Sequence, residues 1–251
     1  MKVVTILNEK GGVGKTTVAI TGAAGLAARG HSVLLIDADA QGHATRGVGL
    51  AKYPGLYDFL VRKADYKDVI KGIPADVIGG TGRLAVLGSN VETRSIAQLI
   101  GDAWALADRL EGLHSVFDVV IIDTSPTPSL LHGAIYLATD MILYPTLLEF
   151  WSFDGLAESI HHQRAIQDRK HVSVAGIVPM RMRKTTLEHC ENLERLREQF
   201  GALVWPPIPE RIIWAEAASA QVPVIAHSPG SEADSHAWEL VDRLEGALDG
   251  K

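Results

Sequence analysis

The sequence predicts one α/β domain over residues 1–251, a three-layer sandwich of a mostly parallel, twisted sheet with helices on both faces. Three observations predict it. Apolar runs such as Val3–Leu7, Ser32–Ile36 and Phe117–Ile122 have no polar alternation, the pattern of strands buried on both sides. These runs alternate with segments of helical period, as a parallel sheet requires. A glycine-rich turn, Lys10-Gly11-Gly12-Val13-Gly14-Lys15-Thr16-Thr17, joins the first strand to the first helix.

That turn points to phosphate. Gly11, Gly12 and Gly14 permit positive φ and close backbone approach, so the amides from Gly11 through Val13 to Thr17 can converge on one anion. The helix that follows adds its unpaired N–H groups and positive dipole end. Lys15 is the cation for the β- and γ-phosphates, and the Thr16 hydroxyl is placed to ligate Mg²⁺. Relative to the general pattern G-x-x-x-x-G-K-[ST], Glu9 replaces the first glycine and an extra lysine, Lys10, stands at the loop entrance. Lys10 cannot easily reach phosphates in its own loop, so it either forms a surface salt bridge or serves a nucleotide held by a second subunit.

A helix is predicted from Thr16 to about Arg29, stopped by Gly30. The strand Ser32–Ile36 then delivers Asp37 and Asp39 to the same carboxyl edge, where open α/β sheets bind ligands. Two short helices are read between Leu56 and Ile73, a strand over Arg83–Gly88, and one helix over Ile96–Leu113 with Leu99, Ile100 and Trp104 on its apolar face. The strand from Phe117 ends in Asp123, the form of a Walker B segment that would hold Mg²⁺ opposite Thr16. The proline-rich loop Thr124–Pro128 follows, suited to sensing a γ-phosphate.

Met141–Pro145 is the next core strand, and Phe153, Leu156, Ile160 and Ile166 mark a helix after it. The adjacent His161 and His162 point about 100° apart on such a helix and do not share a metal. Val172–Val178 forms a further buried strand, ending in the basic run from Pro179 to Lys184. Leu187, Cys190, Leu193, Leu196 and Phe200 stripe a helix, Val204–Pro209 reads as a short edge strand, and the last helix turns Ala237, Val241, Leu244 and Leu248 inward with Glu239, Asp242, Glu245 and Asp249 outward.

With 47% apolar residues in 251, the chain can bury a full core. No apolar run reaches the ~18 residues that span a bilayer, and Met1-Lys2-Val3 enters the first strand directly, so a cytoplasmic protein without a membrane partner is expected. The single cysteine, Cys190, excludes an internal disulfide and a cysteine metal site, and reads as a core thiol. A net charge of −6 argues against a surface that coats DNA generally, leaving room for a local basic patch.

Together these residues resemble the ParA/Soj branch of the ParA/MinD deviant-Walker ATPases. The resemblance runs through the loop with Lys10, Asp37-Ala38-Asp39-Ala40-Gln41-Gly42, the strand Asp118–Asp123, Gly176-Ile177-Val178 with Lys184-Thr185 beyond, and Ile208-Pro209 before Ala215-Glu216-Ala217. It implies an ATP- and Mg²⁺-dependent switch in which a homodimer sandwiches two ATP molecules and each Lys10 reaches the other subunit's phosphates. Asp39 is implied to position or activate the attacking water, with Asp37 supporting the metal site. Met180, Arg181, Pro209 and Arg211 would border the adenine. The same resemblance implies slow hydrolysis until a ParB-like partner stimulates it, and non-specific DNA binding by the ATP dimer, hence association with the nucleoid. Lys184, Arg183 and Arg211 are the candidate DNA contacts, although Glu210 and Ile213 stand where arginines are common. A MinD-like or cargo-positioning ATPase with little DNA binding is the alternative, and the acidic C-terminal segment disfavours its membrane-cycling form. A metabolic ligase on the same loop is a further reading.

Overall fold

A computed structural model describes residues 1–52, 54–149, 156, 159–161, 163 and 169–250. Phe153, His162 and Ile166, named above, lie outside the described residues. Seven strands form one sheet: β1 (Lys2–Ile6), β2 (Ser32–Ala38), β3 (Ile70–Gly72), β4 (Arg83–Leu87), β5 (Val119–Thr124), β6 (Met141–Leu147) and β7 (Ser173–Met180), in the order β3-β4-β2-β5-β1-β6-β7. All neighbours are parallel except β3, which pairs antiparallel with β4. β1, β2 and β5 are buried along nearly their whole length, which is why they are continuously apolar.

Register decides what the carboxyl edge presents. Ile6 pairs with Asp123 across β1 and β5, and Asp37 pairs with Asp123 across β2 and β5. The end of the first strand and two acids therefore stand side by side at one level. The sheet reverses its order of growth at β1, the position where open α/β sheets leave a crevice.

On one face of the sheet, helix α1 (Lys15–Ala28) packs between the strands and the C-terminal helix Glu232–Leu248. Its small residues make this contact close: a Cβ on Gly25 would lie 2.2 Å from Val241 Cγ2. On the other face, the short helices Leu56–Leu60, Ala105–Glu111 and Leu130–Ala138 cover Leu34, Ile36, Val120 and Ile122. Among the described residues, no helix is long and apolar enough to cross a membrane.

Several sequence expectations need correction. The helix expected over Ile96–Leu113 is two, Ile96–Leu99 and Ala105–Glu111. Ile100 turns extended at ψ 114°, and Asp102 Oδ1 accepts a hydrogen bond from the Trp104 amide at 2.9 Å, a local turn that competes with the helix ladder. Leu99 and Trp104 are consequently exposed. β3 occupies the end of the segment read as helical. Val204–Pro209 makes only isolated bridges, Ile177 to Val204 and Met182 to Pro209, since Pro206, Pro207 and Pro209 have no N–H to donate. Leu187, placed in the core stripe by sequence, is solvent-exposed. The acidic face of the last helix is not wholly solvated: Asp242 and Glu245 pair with Arg29, and His31 Nε2 lies 2.9 Å from Glu245 Oε1.

Candidate nucleotide site

The glycine-rich loop begins where β1 ends. Gly12 and Gly14 take φ values of 74° and 96°, the left-handed region that a side chain would strain. Gly14 caps α1, leaving that helix's first amides directed out of the loop. They open on a cavity of about 780 Å³. Gly11, Gly12, Gly14, Lys15, Thr16 and Thr17 line it, with Asp39 from the end of β2 and Thr124–Thr127 after β5. Val13 is fully buried beneath the loop, so its side chain serves the core.

Lys15 is buried, and its Nζ donates to the carbonyls of Asn8 at 2.8 Å and Lys10 at 3.0 Å. Burial lowers its pKa, opposed by the negative charges of Asp123 and Asp39. Lys15 is thus tethered by neutral acceptors that a phosphate can replace. Lys10, by contrast, points to the rim: its Nζ lies 3.2 Å from Glu149 Oε2, in a partly exposed ion pair.

Asp123 is fully buried. Thr16 Oγ1 donates to its Oδ2 at 2.8 Å, while Oδ1 has no hydrogen-bond partner. Burial first, and the neighbouring Asp37 second, push its carboxyl well above the ordinary range. A buried carboxylate oxygen without a donor, beside a threonine hydroxyl, fits a hard divalent cation that prefers oxygen ligands. Thr16 and Asp123 are thus the residues that could hold such a cation.

Asp37 is arranged differently. Its Oδ2 accepts from the Thr45 amide at 2.8 Å and the Thr45 hydroxyl at 2.7 Å, and its Oδ1 accepts from the Asp39 amide at 3.1 Å. Burial raises its pKa, against those hydrogen bonds. Its carboxylate anchors the loop after β2 with its acceptors filled; like Asp123, it does not itself line the cavity. Asp39 does line it, with Oδ1 accepting from the Gln41 amide at 2.9 Å.

A second cavity of about 600 Å³ shares Gly14, Thr17 and Arg181 with the first. Met180, Arg181, Pro209 and Arg211 all border it, so the four residues expected around a base lie together. The candidate DNA cations are partly engaged. Arg183 forms a two-point pair with Glu210, and Arg211 reaches Glu232 at 2.9 Å, while Lys184 is exposed.

Two contributors carry no sequence signal. His132 sits 3.1 Å from both the Ser125 carbonyl and the Ser129 hydroxyl. A carbonyl only accepts, so Nε2–H donates to Ser125 and Nδ1 accepts from Ser129, bracing the loop after Asp123 with a neutral ring. Burial lowers its pKa, in keeping with that state. Arg94 also lines the phosphate cavity, from a 3₁₀ turn over Val91–Ser95.

Comparison with known proteins identifies the family and the fold. A family model described as an AAA domain matches residues 1–175. The chain is similar to the sporulation initiation inhibitor protein Soj of Bacillus subtilis, 33% identical over 241 residues and covering 92% of each chain. Its fold resembles that of apo McdA from Cyanthece, with a TM-score of 0.84 at 20% identity over 99% of each chain. It also resembles cobyrinic acid a,c-diamide synthase from Mycobacterium smegmatis, solved with ADP and magnesium, with a TM-score of 0.82 at 22% identity over 100% of this chain and 96% of that one. A glycine loop, a Thr16–Asp123 pair and these relatives converge: the chain belongs to the ParA/MinD-type deviant-Walker P-loop ATPases, enzymes that use ATP and Mg²⁺.

Proposed function

We propose that this ATPase is a dimerising switch of the DNA-partition type, acting as one domain over residues 1–251. ATP binding pairs two copies, and Lys10 of each subunit then reaches the other's phosphates. The observation that carries this reading is the contrast between the two lysines of the loop. Lys15 is buried against carbonyls inside its own loop, whereas Lys10 is held on the rim by Glu149. A partly exposed ion pair is worth only about 0–1 kcal/mol. Giving up the Glu149 contact for a triphosphate on a second copy therefore costs little at that contact, and a cation delivered from outside stabilises charge on the transferring phosphoryl group.

Thr16 and Asp123 would hold Mg²⁺, which would supply charge neutralisation to the phosphates. Asp39 positions the attacking water, and Asp37 holds the turn that carries Asp39 through its bond to the Asp39 amide. The helix start at Gly14 and the Lys15 ammonium orient the phosphates. Met180, Arg181, Pro209 and Arg211 surround the base. Turnover is slow until a ParB-like partner completes the site.

In this reading the ATP dimer binds DNA without sequence preference through Lys184, Arg183 and Arg211, in the cytoplasm and on the nucleoid. The ion pairs Arg183–Glu210 and Arg211–Glu232 favour a second reading, a cargo-positioning ATPase with little DNA binding, because paired cations release fewer counterions from DNA. Gel retardation of random duplex DNA, with ATP or ADP at two salt concentrations, separates the two. Retardation that needs ATP, weakens with salt and disappears in Lys184→Glu/Arg211→Glu supports partition. No retardation with ATP at low salt selects the second reading. Sedimentation of Lys10→Ala tests the switch itself: ATP-induced dimers that persist without Lys10 would overturn its role across the interface.

A further inference from the structure

We infer that Arg94 is the cation that reads the third phosphate of the nucleotide bound to its own chain. This rests on the ATP site described above and adds to it a residue that discriminates ATP from ADP.

Position comes first. Thr93, Arg94 and Ala97 line the phosphate cavity together with Lys15, Asp39 and Thr124–Thr127. None of the three borders the second cavity, where Met180 and Pro209 surround the base site. Arg181 borders both cavities and so marks their junction. Arg94 thus lines the phosphate cavity without bordering the base cavity, as a contact to the third phosphate requires.

Availability comes second. Arg94 is exposed and, among the described residues, makes no ion pair. The nearest acid in sequence, Glu92, is committed to Arg62 at 2.8 Å. A guanidinium presents a planar fork of donors that matches two phosphate oxygens at once.

The third point is rigidity. Asn90 Oδ1 caps the turn by accepting from the Glu92 amide at 2.8 Å. The hydroxyls of Ser89 and Thr93 meet at 2.8 Å, the Ser89 amide donates to Thr45 Oγ1 at 2.9 Å, and that hydroxyl donates to Asp37 Oδ2 at 2.7 Å. Asp37, Thr45, Ser89 and Thr93 are all buried. A continuous buried chain thus ties the turn carrying Arg94 to the strand tip that is in register with Asp123. The side chain alone is left to move, from a fixed base, toward the phosphate.

The test is the ratio of two affinities. Wild type, Arg94→Ala and Arg94→Lys are titrated with Mg·ATPγS and with Mg·ADP, at protein concentrations where sedimentation finds monomers. Loss of a bidentate charge-assisted contact predicts about a tenfold or greater loss of ATPγS affinity in Arg94→Ala. ADP affinity stays within about twofold, an internal control for folding, and Arg94→Lys recovers part of the loss because it keeps the charge without the fork. An unchanged ATPγS-to-ADP ratio in Arg94→Ala overturns the inference. So does a loss that appears only in dimers, which would assign the contact to the other subunit's nucleotide. Failure of wild type to bind either nucleotide would instead refute the ATP site itself.

Discussion

Removing the charge of Asp123 should make the nucleotide-free protein more stable above mildly acidic pH, although we propose this residue for the metal site. Asp123 is fully buried, faces Asp37 across the β2–β5 register, and leaves Oδ1 without a donor. Its folded pKa is raised well above the ordinary carboxyl value, first by burial and then by Asp37. An acid whose folded pKa exceeds its unfolded value contributes stability that is fully present below the unfolded pKa. That stability is lost as pH rises toward the folded value. One retained proton corresponds to about 1.4 kcal/mol per pH unit within that window. For a chain of this size, roughly 2–4 °C of Tm accompanies each kcal/mol, so the contribution to the slope is roughly 3–6 °C per pH unit. Thermal unfolding of metal-free wild type and Asp123→Asn, compared from pH 5 to 8, separates the Asp37–Asp123 pair from the other titrating groups. The variant should have the flatter profile and the higher Tm at pH 8. Saturating Mg²⁺ with nucleotide should flatten the wild-type profile and leave the variant's unchanged. Parallel profiles for the two proteins would refute the assignment of a raised carboxyl to this position.

Further outcomes follow from the same geometry. Lys15→Ala removes the buried ammonium that the Asn8 and Lys10 carbonyls hold, and should abolish the Tm increase produced by Mg·ATP; an undiminished increase would contradict the loop's role. Asp39→Ala should slow ATP turnover by at least about tenfold while ATP-induced dimers accumulate in sedimentation; normal phosphate release would transfer the water-positioning role elsewhere. Gly25→Ala sets a Cβ 2.2 Å from Val241 Cγ2 between α1 and the C-terminal helix. Overpacking of that kind costs about 1–3 kcal/mol, measurable as a lower denaturation midpoint with an unchanged slope.

Much of the fold is legible in the sequence because parallel strands buried on both faces need no alternation. Ser32–Ile36 and Phe117–Asp123 read as strands directly, the observed strands being Ser32–Ala38 and Val119–Thr124, and each carries its acid to the sheet edge. β3 escapes this logic: three residues, Ile70–Gly72, at an edge and mostly exposed, leave no periodic mark. The broken helix after Ile96 escapes it because the apolar spacing continues through Ile100 and Trp104 while Asp102 diverts the backbone. In the site, residues contiguous with a motif are legible, whereas Arg94 and His132 are single side chains brought in by tertiary structure. The partners of Arg183 and Arg211 are likewise hidden, since Glu210 and Glu232 lie 27 and 21 residues away.

The two acids that the sequence assigns to the metal site, Asp123 as holder and Asp37 as support, are separated by their environments. Asp37 and Asp123 end adjacent strands at the same register level, and both are removed from solvent. Asp37 accepts three hydrogen bonds, two of them from Thr45, and through Thr45 and Ser89 it fixes the turn over Val91–Ser95. Asp123 accepts one and keeps an oxygen unsatisfied. A buried carboxylate with its acceptors filled gains nothing from a cation it would have to desert its donors to reach. One with an empty acceptor gains the most. It follows that Asp37→Asn should act mainly on the loops, lowering Tm and loosening Asp39 and Arg94 together, whereas Asp123→Asn should raise Tm and abolish the Mg²⁺ dependence of nucleotide affinity. Opposite signs of ΔTm for two substitutions of the same chemistry, one strand apart, are the measurable form of that division. A lowered Tm in Asp123→Asn at pH 8 would mean that the unsatisfied oxygen of Asp123 does not govern its electrostatics.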